Sequence, residues 1–125
     1  MPNQREVVEV HFRLPDNGRL ENHPVIIISN SSINNTERGF VAIMMTSEHD
    51  DEDEYSFEIK DSMFEKPIGK AVSAVRLHLI GNFMNTDIIP NSHSGNKMKE
   101  EVFRRLLVHI NRITFKLTNF RLEES

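Results

Sequence analysis

Cysteine is absent from the 125 residues, which excludes a disulfide framework and a thiolate zinc site; a reducing compartment, the cytoplasm, is the simplest home. No apolar run approaches the roughly 18 residues of a membrane helix. Met1 to Arg5 leads into a strand-like pattern and not into an apolar signal core, so neither secretion nor a membrane span is expected. Internal repeats and linker-like stretches are also missing. An apolar content of 38% suffices for one modest core, so residues 1–125 read as a single domain, its core at about 6–115 with a short tail at 118–125. Metal-ligand spacing is lacking as well. His93 and His109 stand apart from other ligands, and the acidic run "EHDDEDE" (Glu48 to Glu54) has neither the glycine nor the spacing of an EF-hand, so no metal or cofactor is expected.

That run distorts the charge balance. Formal net charge is −4, yet setting its six acids aside leaves 15 basic residues against 13 of the 19 acidic ones. The remainder is mildly basic and tolerates an anionic partner, while the run itself reads as a mobile, solvated loop.

What the chain does have is short strands followed by one helix. "EVVEVHFRL" (Glu6 to Leu14) places Val8, Val10, Phe12 and Leu14 on one side and Glu9, His11 and Arg13 on the other. Turn residues in "PDNGRLENHP" lead to "VIIIS" (Val25 to Ser29), β-branched enough for a strand buried on both faces. "NSSINNTERG" reads as a polar loop, "FVAIMMTS" (Phe40 to Ser47) as a third strand and "YSFEI" (Tyr55 to Ile59) as a short fourth. "AVSAVRLHLI" (Ala71 to Ile80) is longer, with a brief extended segment after it at Asp87 to Ile89. From about Asn96 the period changes: Phe103, Leu106, Leu107, Ile110, Ile113 and Leu117 form one helical stripe. The sum is a strongly curved antiparallel sheet or partly open barrel, with the helix on an end or an edge.

The order of these landmarks resembles the PemK/MazF toxins of bacterial toxin–antitoxin systems, over roughly Glu6 to Phe115. The residues that carry the likeness are "VVEVHF", a Gly-bearing turn, "HPVIIIS", a strand ending in "MMTS", "SAVRLHLI" and a closing helix. Two positions depart from the family pattern: His23 stands where an arginine usually precedes the proline, and "GNFM" (Gly81 to Met84) replaces an Arg-Thr-Ile-Asp segment. The resemblance implies a mainly β fold with a C-terminal helix, specifically an SH3-like small barrel of five to seven antiparallel strands. It implies a homodimer that cleaves single-stranded RNA (mRNA) without a metal, by 2′-hydroxyl attack leaving a cyclic phosphate. It further implies a cognate acidic antitoxin and DNA binding in complex with it.

Carried over by position, the resemblance makes His23, Thr46, Arg76 and His78 catalytic candidates and Ser47 a substrate contact. His11 and Arg13, opposite the apolar side of the first strand, could lengthen the groove. The residue types suit the chemistry: an imidazole titrates near neutrality, and Pro24 restricts its backbone at a strand entrance. A guanidinium grips phosphate in bidentate fashion, and a hydroxyl can bond a phosphate oxygen. Set against this, each is also an ordinary residue for a wet strand surface or a strand end. A rival reading keeps the fold and drops the chemistry: a binding module that grips a protein target, as gyrase-poisoning toxins do.

Overall fold

The computed structural model describes residues 2–13, 17–47, 54–68 and 72–116. Leu14, most of the acidic run (48–53) and the expected tail lie outside them. Five strands appear: β1 (Val7–Arg13), β2 (Leu20–Ile27), β3 (Gly39–Thr46), β4 (Ser56–Glu58) and β5 (Ala74–Met84). They form one antiparallel sheet in the order β1-β2-β3-β5-β4.

The sheet is open, which corrects the expectation of an SH3-like barrel. β1 and β4 are its two edges, and among the described residues no ladder joins them. The reason is local. β4 has only three residues, and the outer side of β1 is already occupied by isolated bridges, Glu6 to Lys97 and Val10 to Ile88. Along that side Val7 donates to the Asn96 carbonyl at 2.9 Å, Ile89 to that of Glu9 at 2.9 Å, and Met98 to that of Arg5 at 2.9 Å.

Between β2 and β3, where the sequence suggests a loop, stands a short helix, α1 (Ser31–Glu37). Its residues are poor helix formers, so its ends and one anchor hold it. The Asn30 side chain accepts from the Ile33 N–H at 2.9 Å, and Arg38 closes the helix in the left-handed conformation. Asn34 is fully buried and donates to the Pro2 carbonyl at 2.9 Å. At the start of β3, a Cβ on Gly39 would sit 2.7 Å from the Phe83 carbonyl oxygen, so only glycine lets β3 and β5 approach there.

Both faces of the sheet carry a core. On one, Val7, Ile26, Ile43, Met45, Val75 and Leu77 pack beneath α2 (Glu100–His109), which contributes Val102, Phe103 and Leu106, with Ile110 just beyond. The helix continues as wider π-type turns over Ile110–Phe115. It lies over a face and not over an end or edge, and Leu107, expected in its stripe, is 40% exposed. On the opposite face, Val8, Val10, Val25, Ile27, Phe40, Ala42, Met44 and Phe83 form a second, smaller core, to which α2 contributes no side chain. Among the described residues no helix is long and apolar enough to cross a membrane.

Candidate active site

His23 lies on β2 opposite Val10 of β1. It is two residues before the buried Val25, so both side chains point to the face without the helix. The imidazole meets the Phe12 ring edge-on, with centroids 5.7 Å apart. Its Nε2 is buried, with no hydrogen-bond partner among the described residues. The nearest carboxylate oxygen, Oε2 of Glu21, is 3.8 Å away, beyond hydrogen-bond reach but close enough to pair with a protonated ring. Together with Phe12, Met44, Leu79, Ile80, Gly81 and Phe83, the imidazole lines a cavity of about 250 Å³.

Thr46 ends β3. Val25 pairs with Met44 and Thr46 with Ala74, so Thr46 shares the His23 face. Its carbonyl accepts from the Ser73 N–H at 2.9 Å. Ser47 is exposed, and its carbonyl accepts from the Ser73 hydroxyl at 3.1 Å.

Arg76 sits on β5 between Val75 and Leu77, both in the helix-side core, and so projects from the other face. Its guanidinium donates to the Ser56 hydroxyl at 2.8 Å. The strand is irregular here. Ile43 pairs with Ile80 but Met45 pairs with Val75, so β5 accommodates extra residues across Arg76 to Leu79. Such bulges re-aim side chains and often adjoin active sites. The bulge also breaks the rule that residues two apart share a face: Leu77 and Ile80 both reach the helix-side core. His78 is exposed and rests on the Tyr55 ring with centroids 5.3 Å apart.

The structure thus gathers His23, Thr46 and Arg76 on one face of three neighbouring strands. β2 and β5 flank β3, about 10 Å apart at two strand spacings. His78 stands at the margin. His11 and Arg13 are not brought in: they alternate with Val10 and Phe12, which face His23, and so point to the opposite side. Arg13 is engaged with the Gly18 carbonyl. Among the described residues no cluster of three or more His, Asp or Glu side chains forms.

Sequence reasoning missed Glu21, although its position two residues before His23 in "ENH" signals a shared strand face. Ser56 and Tyr55, which steady Arg76 and His78, carry no such signal, because they approach only through the β4–β5 pairing. A second carboxylate–imidazole pair lies elsewhere. Glu9 and His93 meet at 2.5 Å with side chains 9% exposed, 84 residues apart in sequence.

The model of PemK-like, MazF-like toxins of type II toxin–antitoxin systems matches residues 3–113. The chain belongs to this family. Among solved structures, a mycobacterial endoribonuclease in complex with its cognate antitoxin superposes with a TM-score of 0.67 at 14% identity, covering 94% of this chain and 98% of that one. MazE–MazF from Deinococcus radiodurans gives 0.69 at 12% identity, over 94% and 98%. A second mycobacterial endoribonuclease gives 0.66 at 12%, over 96% and 95%. At these identities the likeness is one of fold. Curated proteins give no match. The position before Pro24, where the resemblance read from the sequence expects an arginine, is held by His23.

Proposed function

We propose that this chain is a toxin endoribonuclease that cleaves single-stranded RNA without a metal, acting in the cytoplasm as a homodimer restrained by an acidic antitoxin. Family membership supports the toxin role. The observation that carries the chemistry is the meeting of an imidazole, a hydroxyl and a guanidinium on one face of β2, β3 and β5, beside a bulge. In this mechanism His23 takes the proton of the ribose 2′-hydroxyl. With Nε2 turned toward Glu21, Nδ1 is the nitrogen that accepts it. The 2′-oxygen attacks the adjacent phosphorus and the bond to the 5′-oxygen breaks, leaving a 2′,3′-cyclic phosphate. His78 protonates the departing oxygen. Arg76, pre-aimed by Ser56, neutralises the charge gathering on the phosphoryl oxygens, and the Thr46 hydroxyl bonds one of them.

The test is incubation of the pure protein with mixed-sequence single-stranded RNA in EDTA. The expected result is fragments ending in a cyclic phosphate, with His23→Ala slowing cleavage by about 10²–10⁴-fold, the usual span for a general base, while the fold persists. Cleavage by His23→Ala at the parent rate would remove the imidazole from the mechanism. Absence of cutting combined with tight binding to a protein partner would favour the binding-module reading.

A further inference from the structure

Glu9 and His93 take no part in the cleavage chemistry, because Glu9 alternates with Val8 and Val10 and so lies on the other side of the sheet from His23. With Lys66, Ser92, Ser94 and Asn96 they line a cavity of about 450 Å³. We propose that this cavity binds a phosphoryl group, free or as the monoester of a small molecule, at a site that does not depend on RNA cleavage.

The loop forming one wall is held in an unfavourable shape. Asn91, His93 and Ser94 have φ of 61°, 57° and 46°, left-handed values that residues other than glycine rarely adopt. Such backbone persists only where its surroundings fix it, and strain of this kind gathers at ligand clamps. Asn96, which is 2% exposed, does much of the fixing. Its N–H donates to the His93 carbonyl at 2.8 Å, while its side chain accepts from the Lys66 N–H at 2.9 Å and donates to the Lys66 carbonyl at 2.8 Å. The two walls are thereby tied together before any ligand arrives.

The free donors suit a tetrahedral oxyanion. The exposed Lys66 ammonium reaches the Ser94 carbonyl only at 3.4 Å, so most of its donor capacity is left for a ligand. The Ser92 hydroxyl oxygen accepts the Glu9 N–H at 3.0 Å and keeps its own hydrogen to give. His93 turns Nε2 to Glu9 at 2.5 Å, which leaves Nδ1 for the cavity. There an imidazolium donates to a phosphoryl oxygen, and a neutral ring accepts from a P–OH. The same contact masks the Glu9 carboxylate, whose side chain is 9% exposed and would repel an anion if bare. A planar carboxylate ligand is less favoured: it is gripped best by a guanidinium fork, and no arginine lines this cavity. An ammonium and hydroxyls approaching from two segments instead match oxygens at the corners of a tetrahedron. The volume lies in the small-molecule range and admits an organic group beyond the phosphorus.

The test is a titration of the full, isotope-labelled chain with inorganic phosphate, adenosine 5′-monophosphate, adenosine and acetate, read by backbone amide shifts. Both phosphates should move the amides of Lys66 and of Ser92 to Asn96 saturably, and adenosine and acetate should not. Lys66→Ala keeps the backbone bonds to Asn96, so it should fold and raise Kd about 10-fold or more, the worth of a hydrogen bond to a charged group. Lys60→Ala, which removes an exposed cation outside the cavity, should bind as the parent does. Equal affinity for the two phosphates would assign the site to free phosphate, and tighter binding of the nucleotide to a phosphomonoester; both uphold the proposal. Shifts centred on His23 and Arg76 and undiminished in Lys66→Ala would overturn it, placing the anion in the candidate active site. Acetate binding as tightly as phosphate, or no saturable shift at millimolar phosphate, would overturn it as well.

Discussion

The two faces of the sheet are built from alternate residues of the same five strands, yet they are finished differently. Beneath α2, side chains from β1, β2, β3 and β5 meet a helix that supplies Val102, Phe103 and Leu106, and an apolar cavity of about 570 Å³ opens beside the helix at Leu107, Ile110 and Phe115. On the far side the core is smaller and stops at Phe12, Leu79 and His23, where the imidazole lines a cavity of about 250 Å³. The helix-covered core is the larger of the two. The other face carries the polar groups of the candidate site.

That division can be tested first at an ionisable pair on the helix side. Glu9 is on the helix-side face of β1, covered by His93 and by Ser92, whose hydroxyl accepts the Glu9 N–H at 3.0 Å. His93→Ala takes the imidazole from a nearly buried carboxylate and should cost about 1.5–3 kcal/mol in urea unfolding, the value of a hydrogen bond to a charged group. A loss below about 1 kcal/mol would mean that the pair is dispensable to the fold.

The comparison is sharpened by a crossed pair of substitutions. Leu106 is fully buried under the sheet, so Leu106→Ala should cost about 2–5 kcal/mol of stability while the folded fraction keeps its RNA-cleaving rate. Arg76→Ala should do the reverse. It forfeits the hydrogen bond to Ser56, worth about 0.5–1.5 kcal/mol by itself, but lowers cleavage about 10²–10³-fold through loss of charge stabilisation. Equal effects of both variants on both readouts would erase the distinction between the faces.

The smallest effect belongs to the solvent side of α2. The Arg104 guanidinium, hydrogen-bonded to Glu100 at 3.0 Å and adding its charge, holds that carboxyl below the usual glutamate range. A depressed folded value stabilises above the ordinary glutamate range, and the benefit is lost as pH falls through the lowered value. Both groups are exposed, so Arg104→Ala should remove only a slight, salt-sensitive part of the acid-side decline in urea midpoint. Neutral-pH cleavage should not change.

Much of this architecture is legible in the residues. Alternation marks β1 and the approach to β5, the β-branched run of Val25 to Ile28 marks a strand buried on both sides, and a 3.6-residue stripe marks α2. His23, Thr46 and Arg76 are recognisable by their places at a strand entrance, a strand end and within a strand. Other features are not local. α1 was hidden because Ser31–Glu37 has weak helix propensity, and only the Asn30 cap and the burial of Asn34 make it. The bulge that breaks the alternation across Arg76 to Leu79 arises from the β3–β5 register, which no single segment encodes. Barrel closure failed for a similar reason, since it depends on whether two distant edges find each other. That His11 and Arg13 lie opposite Val10 is legible in the alternation, but which side of the sheet carries the candidate site is decided by β2 and β5.

The backbone bonds that Val7, Glu9 and Arg5 make to the 88–98 segment have a bearing on self-association. A bare strand border invites accretion of further chains, rung upon rung. Here one border is already stitched from within and the other is three residues long, so neither β1 nor β4 offers a long template for such growth.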